Sequence, residues 1–277
     1  MTGAVRSVEI ATIDSIRASG GAAEFVGPQR MQFELIVHLA SGTTVHGVDF
    51  TTYPLEAGDV LWVHAGQVQQ WGDIDAIDGV VCMFPPTIFD TATTELLGSL
   101  DGWTRSHWPA ATCAAFGLDA DFQALLSHYW RLGTARDLSP AGCDAAMVHL
   151  TAALAVTLAA TPSTSTAAGR VPNASFRRFR DEVDRHFAAD RSVRSYARRL
   201  GFSERSLHRL AVDHAGRTPK QVIDDRVMLE AKRLLVHGDL PISSIARALS
   251  FDDQSNFTKS FRKSVGMTPS EFRSQHS

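Results

Sequence analysis

The chain has 277 residues, 44% of them hydrophobic, and a formal net charge of −3. This length exceeds that of a usual single domain, so we expect two domains, each with its own hydrophobic core. The three cysteines, Cys82, Cys113 and Cys143, show no paired spacing, which excludes a disulfide framework and a cysteine-based zinc site and indicates a reducing compartment. The N-terminal residues lack an apolar core flanked by basic residues, so no secretory signal is predicted.

The small net charge hides opposite charges in the two parts of the chain. Residues 1–173 contain 7 Arg, no Lys and 17 acidic residues, which gives a net charge of −10. Residues 174–277 contain 20 basic and 13 acidic residues, which gives +7. A basic region beside an acidic one is expected when only one part of a protein contacts a polyanion such as nucleic acid.

Residues 31–84 contain short apolar segments separated by turn residues. The segments are 31–40, 44–50, 59–64 and 79–84, and turns are expected at 41–43, 56–59 and 64–67. Several short strands at this spacing predict a small β-barrel or β-sandwich.

From residue 118 the apolar period becomes that of an amphipathic helix. Apolar or half-polar side chains recur at i, i+3, i+4 and i+7 in two series: Phe122, Leu125, Leu126, Tyr129, and Met147, Leu150, Thr151, Leu154. Two helices joined around Ser139-Pro140 are therefore predicted. They either cover the barrel or form a dimer interface, and we favour the interface. Residues 145–160 are shorter than the roughly 20 apolar residues that span a bilayer, so no membrane partner is predicted.

Residues 161–175 are rich in Pro, Ser, Thr and Gly and have no apolar periodicity. This composition predicts an interdomain linker. The linker divides the chain into a β-rich domain at 1–117, a helical pair at 118–160 and a helical domain at 176–277.

One short unit occurs twice after the linker. SLHRLAVDHAGRTPKQV from Ser206 aligns with NFTKSFRKSVGMTPSEF from Asn256 at an offset of 50 residues. Upstream, the matches occur at an offset of 49 and pair Ala197 with Ala246, Leu200 with Leu249, and Phe202 with Phe251. Each unit is predicted to be a short helix, a tight turn and a second helix that begins at a capping side chain, Ser203 or Asp252. This is the shape of a helix-turn-helix motif.

The second helix of such a motif can enter the major groove of DNA. Leu207 and Phe257 are expected in the core, which leaves polar and basic side chains exposed to contact base edges and phosphates. A connecting helix over residues 220–236 would be roughly 25 Å long at 1.5 Å per residue. It would hold two reading helices about one duplex turn, or about 34 Å, apart once the flanking loops are included.

With these features, residues 176–275 resemble the DNA-binding domain of the AraC/XylS family of bacterial transcription regulators. The most specific part is ISSIARALSFDDQSNFTKSFRKSVGMTPSEFR. The resemblance implies an all-α domain of about seven helices with two helix-turn-helix motifs. It implies the following base-reading positions: Arg205, Ser206, His208, Arg209, Gln254, Ser255, Thr258 and Lys259. The sequence departs from the family at Ser250, where the family usually has Gly, so a strained or shifted turn is expected there.

The segment VDFTTYPLEAGDVLWVHAGQVQQW, residues 48–71, resembles the cupin-type sensory domain of many family members. Gln69 stands where related domains often carry His. The expected fold is therefore a two-domain α+β protein, with an N-terminal cupin-like β-barrel followed by two helices and a C-terminal all-α domain.

Cupin barrels also house metal enzymes, which usually hold the metal through two or three His and a carboxylate. The histidines of this barrel are isolated and no H-x-H pair occurs, so no metal, cofactor or catalytic residue is predicted. A small-molecule pocket with aromatic walls and a few polar groups is the preferred alternative. The effector-binding candidates are Glu34, His38, His46, Trp62, His64, Gln69 and Trp71.

The sequence thus predicts a cytoplasmic, non-enzymatic transcription regulator that binds double-stranded promoter DNA as a homodimer and responds to a small-molecule effector. Activation, which would involve RNA polymerase, is the commoner behaviour in the family it resembles. Two alternatives stay open. One is a metal-dependent cupin enzyme with a DNA-binding tail, and the other is a DNA-binding protein without an effector.

Overall fold

The computed structural model describes residues 7–20, 27–134, 139–162 and 174–276. The chain divides into two compact units, Met1–Ala167 and Ala168–Ser277. The first unit holds every described strand, and the second is helical, so the predicted two-domain α+β fold is confirmed. Most of the predicted linker, residues 163–173, lies outside the described residues.

The strands of the first unit form one antiparallel sheet that curls around β3. The described strands are β1 Glu9–Thr12, β2 Gln29–Arg30, β3 Glu34–Val48, β4 Thr51–Glu56, β5 Val60–Val63, β6 Val68–Gln70, β7 Ile77–Phe84 and β8 His107–Trp108. The first half of β3 pairs with β5 and β7, and its second half pairs with β4 and β6.

The turn predicted at residues 41–43 is instead a bend within β3. The pairing of β3 with β7 shifts register between Leu39 and Ser41, which is the mark of a β-bulge. Gly42 has a φ of 83°, and a Cβ at this position would lie 1.9 Å from the carbonyl oxygen of Ala76. Only glycine fits there, and the bend lets one strand serve both halves of the sheet.

Strand alternation divides the side chains of the sheet between two apolar clusters. On the inner face, residues such as Leu35, Val37 and Val81 pack with Val48 and Leu55 from the other half of the sheet. On the outer face, the sheet packs against helices. The helices of this unit are α1 Ile13–Gly20, α2 Thr91–Ser99, α3 Ala110–Ala115, α4 Leu118–Thr134 and α5 Pro140–Ala160.

Helix α5 is the one helix of the described residues that is long and apolar enough to cross a membrane. It begins after Ser139, whose hydroxyl accepts a hydrogen bond from the Gly142 amide, and Pro140 occupies its first turn. Met147 and Leu154 lie in the outer-face core. By length and composition α5 could cross a membrane, and 33% of its most apolar window is buried inside the protein. Length and composition alone are weak evidence for a membrane span, because core helices of soluble proteins meet the same two criteria.

The second unit is built from short capped helices. Its described helices are α6 Ala174–His186, α7 Val193–Leu200, α8 Glu204–Ala215, α9 Pro219–Val236, α10 Ile242–Ala248, α11 Gln254–Val265 and α12 Pro269–His276. Thr218 and Gln221 form a capping box at the start of α9, which satisfies two backbone amides. The prediction that Asp252 caps α11 is wrong by one residue. The cap is Asp253, whose side chain accepts a hydrogen bond from the Asn256 amide at 2.7 Å.

His46 is a fully buried histidine in the second half of β3. Its Nε2 lies 3.1 Å from Oε1 of Gln69, and its ring meets the edge of the Trp71 indole at a centroid distance of 4.6 Å. Burial lowers the pKa of His46 from 6.5 to about 4, with a smaller opposing effect from Gln69. The imidazole is therefore neutral at physiological pH.

This burial predicts a pH-dependent loss of stability. The unfolded chain binds a proton at His46 with the ordinary pKa of 6.5, whereas the folded chain resists protonation down to about 4. The contribution of His46 is thus complete above pH 6.5 and falls as the pH drops towards 4. Between pH 7 and pH 5, we expect the wild type to lose about 2 kcal/mol more than a His46→Gln variant.

Urea unfolding followed by tryptophan fluorescence measures this difference, because all five tryptophans lie in the first unit. An equal pH dependence in the two proteins would show that His46 is protonated without cost in the folded state.

Candidate nucleic-acid interface and sensory site

Helix α8 is positioned by a tight turn and one buried face. Gly201 adopts a left-handed φ of 73°, and the Ser203 hydroxyl accepts a hydrogen bond from the Ser206 amide at 3.1 Å. Leu207 and Ala211 are buried in the core of the unit. The opposite face is therefore solvent-exposed. Of the four positions predicted to read bases, Arg205, His208 and Arg209 are exposed and Ser206 is half-buried.

Helix α11 repeats this arrangement in the second motif. Its buried face consists of Phe257 and Phe261. The predicted reading positions lie on the other face, where Gln254, Ser255 and Lys259 are exposed and Thr258 is half-buried. Each motif therefore presents its own set of four side chains.

The two turns have the same hydrogen-bond pattern. The Phe202 amide donates to the Ala197 carbonyl at 2.8 Å, and the Phe251 amide donates to the Ala246 carbonyl at 3.0 Å. Ser250 takes the place of Gly201 and adopts a left-handed φ of 53°. A non-glycine residue in this conformation costs roughly 1–2 kcal/mol. The turn is thus strained, as predicted, and keeps its shape.

The cations on the two reading faces are not neutralised. Within the described part of the chain, Arg205, Arg209 and Lys259 form no ion pair with an acidic side chain. Other arginines of the same unit are paired, such as Arg217 with Asp225 at 3.0 Å. Unpaired cations on an exposed helix face are available to phosphate oxygens and guanine edges.

Two further arginines were missed by the sequence analysis. Arg198 and Arg247 are exposed in the last turns of α7 and α10, the first helices of the two motifs. The first helix of a helix-turn-helix motif crosses the phosphate backbone. The 49-residue register pairs these two arginines and is the signal that could have found them.

Four of the seven effector candidates lie on the outer face of the sheet. Glu34 is central to three of them, because its Oε2 accepts a hydrogen bond from Trp62 Nε1 at 2.8 Å and lies 2.8 Å from His64 Nδ1. Farther along β3, His38 Nε2 lies 2.7 Å from Asp119 Oδ1 of α4. These polar groups therefore hold the sheet, its loops and a covering helix together.

The other three candidates, His46, Gln69 and Trp71, contact one another on the inner side. The seven residues do not converge on one pocket, and the β3 bulge explains why. Positions 34 and 38 point outward, but the inserted residue reverses the alternation, so that positions 46 and 48 point inward.

A cleft of about 760 Å³ opens between the second half of β3, strand β4 and residues 107–109. Its lining includes the carboxylates of Glu56, Asp59 and Asp73 and none of the seven candidates. Asp59 accepts a hydrogen bond from the Ala110 amide at 2.6 Å and lies 3.0 Å from His107 Nε2. Residues far apart in the chain form this cleft, so no sequence motif marks it. Among the described residues, no group of three or more His, Cys, Asp or Glu side chains is arranged to hold a metal.

Comparisons with known proteins agree with this geometry. Residues 196–275 match the family model of a helix-turn-helix domain. The chain is 26% identical over 246 residues to the HTH-type transcriptional activator RhaS of Salmonella arizonae, covering 87% of this chain and 85% of the relative. RhaS of Salmonella typhimurium is 25% identical over 247 residues with the same coverage.

Solved structures similar to the chain include two from other bacteria. The C-terminal domain of AraT from Geobacillus stearothermophilus is 28% identical, with a TM-score of 0.37, and covers 38% of this chain and 88% of that one. ToxT from Vibrio cholerae is 10% identical, with a TM-score of 0.45, and covers 97% of this chain and 98% of that one. The helix-turn-helix match and the similarity to RhaS along most of the chain support a DNA-binding transcription regulator of the AraC/XylS type.

Proposed function

We propose that this regulator is a cytoplasmic activator that inserts α8 and α11 into two successive major grooves of a promoter and is controlled by a small-molecule effector. The repeated motif is the observation that carries the DNA-binding part. Two turns of the same geometry support two helices with unpaired cations. They are joined by α9, whose 18 residues span about 27 Å at 1.5 Å per residue.

The two reading faces carry different chemistry, which favours an asymmetric target. On α8, Arg205 and Arg209 suit guanine edges or phosphates, with Ser206 and His208 between them. The face of α11 is less basic, and Gln254 suits adenine, which an amide can contact bidentately. We propose Arg198 and Arg247 as phosphate contacts that orient each motif.

The regulator acts as a homodimer in this proposal, through α5 and its neighbour α4. The outward positions of α5 include Ala145 and Ala153, which are exposed, and Val156, which is half-buried. Small apolar side chains let two helices approach closely. On α4, Trp130 is 57% exposed. We propose that a second copy covers these exposed apolar positions of α4 and α5.

The inner-side group is the better effector site of the two candidate groups. His46 is neutral, Gln69 reaches Gln29 through an amide hydrogen bond of 3.3 Å, and the Trp71 indole supplies a flat wall. Within the described part of the chain, His46 Nδ1 is buried without a hydrogen-bond partner, as are His38 Nδ1 and His64 Nε2 of the outer group. The preference therefore rests on the inner group having no carboxylate, whereas the outer group contains Glu34 beside His64. Uncharged donors and acceptors beside an aromatic ring suit a neutral, hydroxyl-rich compound.

Activation is supported by the relatives, which are named transcriptional activators, and would require contact with RNA polymerase. The same relatives favour a regulator over the cupin enzyme alternative. Stoichiometric metal in the purified protein would reverse that preference.

Replacing one cation on each reading face tests DNA binding. We expect Arg209→Ala and Lys259→Ala each to weaken binding about 5- to 150-fold, because each removes a charged contact without opening the core. The measurement is fluorescence anisotropy across a salt series, with a DNA fragment selected from a random pool by the wild type. Arg217→Ala is the matched control, because Arg217 is an exposed arginine paired with Asp225 away from the predicted reading positions. Wild-type affinity in both reading-face variants would remove these residues from the interface.

A carboxylate in the middle of the apolar surface tests the dimer. We expect Ala153→Glu to sediment as a monomer at concentrations where the wild type is dimeric, because a charge without a partner is costly to bury. Thr52→Glu places the same charge at an exposed site on β4, which pairs with β3 and not with α4 or α5, and should leave the dimer intact. Analytical ultracentrifugation of the three proteins decides the point, and a dimeric Ala153→Glu protein would exclude this surface.

Thermal unfolding with a panel of pentoses and hexoses tests the effector site. A ligand at 100 times its Kd adds about 2.7 kcal/mol to the free energy of unfolding. We therefore expect at least one neutral sugar to raise the melting temperature of the wild type. The effect should vanish in Gln69→Ala and persist in Asp73→Asn, a variant of the acidic cleft. A rise in melting temperature that persists in Gln69→Ala and vanishes in Asp73→Asn would place the effector site in the cleft. No rise with any compound would favour a regulator without this class of effector.

A further inference from the structure

The turn of the second motif is tied to the segment that precedes the first motif. The Ser250 hydroxyl donates a hydrogen bond of 2.7 Å to the carbonyl oxygen of Ala188, 62 residues earlier in the chain. Ala188 lies between α6 and α7, so this bond joins the turn of the second motif to the segment just before the first motif. The residue that departs from the family pattern is thus the one that makes the contact.

Arg191 adds a second tie from the same segment. Its guanidinium lies over the ring of Phe251 at 4.0 Å, and its Nη2 lies 3.1 Å from Oδ1 of Asp224 on α9. Phe251 in turn meets the ring of Phe257 on α11 at 5.2 Å. One arginine therefore links the segment before the first motif to the connecting helix and to the turn of the second motif, and Phe251 carries the contact on to α11.

The segment is itself held rigidly to α7. Asp190 accepts hydrogen bonds from the Arg199 guanidinium at 2.9 Å and, through its carbonyl oxygen, from the Tyr196 hydroxyl at 2.8 Å. Tyr196 is fully buried. Movement of the second turn relative to α7 would therefore have to break the Ser250 and Arg191 contacts.

We propose that Ser250 and Arg191 form an inter-motif clamp that fixes the distance and angle between α8 and α11, so that the protein accepts one spacing between its two half-sites. The inference rests on the proposed reading of DNA by both helices. Gly at position 250 would adopt the left-handed turn without strain but would lack the hydroxyl. The serine therefore strains the turn, but its hydrogen bond fixes the geometry between the motifs. Both residues act as positioning residues.

A measurement without DNA tests the clamp itself. Spin labels at Asp213→Cys on α8 and Lys263→Cys on α11, both exposed, report the distance between the recognition helices. The full-length background carries Cys143→Ser, because Cys82 and Cys113 are buried. We expect the distance distribution to broaden in Ser250→Gly and in Arg191→Lys, which keeps the charge and loses the flat guanidinium. An unchanged width in both variants would overturn the clamp.

DNA fragments with altered half-site spacing test whether the clamp restricts the protein to one spacing. A sequence selected by the wild type is resynthesised with one base pair added or removed between the half-sites, which shifts them by about 3.4 Å along the helix axis. We expect the wild type to bind these fragments at least about tenfold more weakly. Ser250→Gly should bind the original fragment within about threefold of the wild type and lose most of the spacing penalty.

The controls separate the clamp from folding and from the proposed function. Ser243→Gly removes an exposed serine on α10 and should keep the full spacing penalty. Ser250→Gly should melt within about 4 °C of the wild type, since strain relief offsets the lost hydrogen bond. A full spacing penalty in Ser250→Gly would overturn the link between clamp and spacing. Wild-type binding that ignores the second half-site would instead overturn the proposed two-groove reading, and the label distances would still decide the clamp.

Discussion

The left-handed turn between paired helices is the constraint on which the DNA-binding unit depends. A recognition helix can enter a groove only if its angle to the supporting helix is fixed. That angle is set by one residue with positive φ followed by a half-buried phenylalanine. Gly201 meets this requirement without strain, because glycine adopts a positive φ as readily as a negative one. Ser250 meets it with strain and gains a hydrogen bond to Ala188. The same backbone geometry thus only orients α8 in the first motif, whereas in the second motif it also brings the Ser250 hydroxyl to Ala188.

In the first unit a comparable constraint acts at the bulge of β3. The register shift after Leu39 reverses which side chains face the interior, and it separates residues that would otherwise share a face. His38 joins the sheet to α4, and its ring stacks on Phe122 at 4.8 Å. His46 lies on the inner side beside Gln69. One inserted residue therefore divides the polar side chains of a single strand between a structural role and a candidate binding role.

Electrostatics differ between the two units in a way that suits their separate tasks. In the first unit, several polar side chains of the sheet are buried and paired with each other, as Glu34 is with Trp62 and His64. In the second, many charges remain exposed, and several arginines are used internally to hold helices together. Arg226, for example, lies over the ring of Phe187 at 3.8 Å and pairs with Asp184. Arg205 and Arg209 on α8 and Lys259 on α11 are exposed and, within the described part of the chain, form no ion pair, so they are available to a polyanion.

The sequence by itself determined the features that depend on neighbouring residues. Helical period, capping side chains and the 49- and 50-residue repeat offsets identified the two motifs and their exposed faces, because such patterns are local properties of the chain. The strain at Ser250 followed from residue type alone. Tertiary structure decided the rest. Where the chain bends, and which distant segments meet, determine the inward position of His46, the acidic cleft and the Ser250–Ala188 bond. Contacts between distant segments leave no local sequence pattern from which they could be predicted.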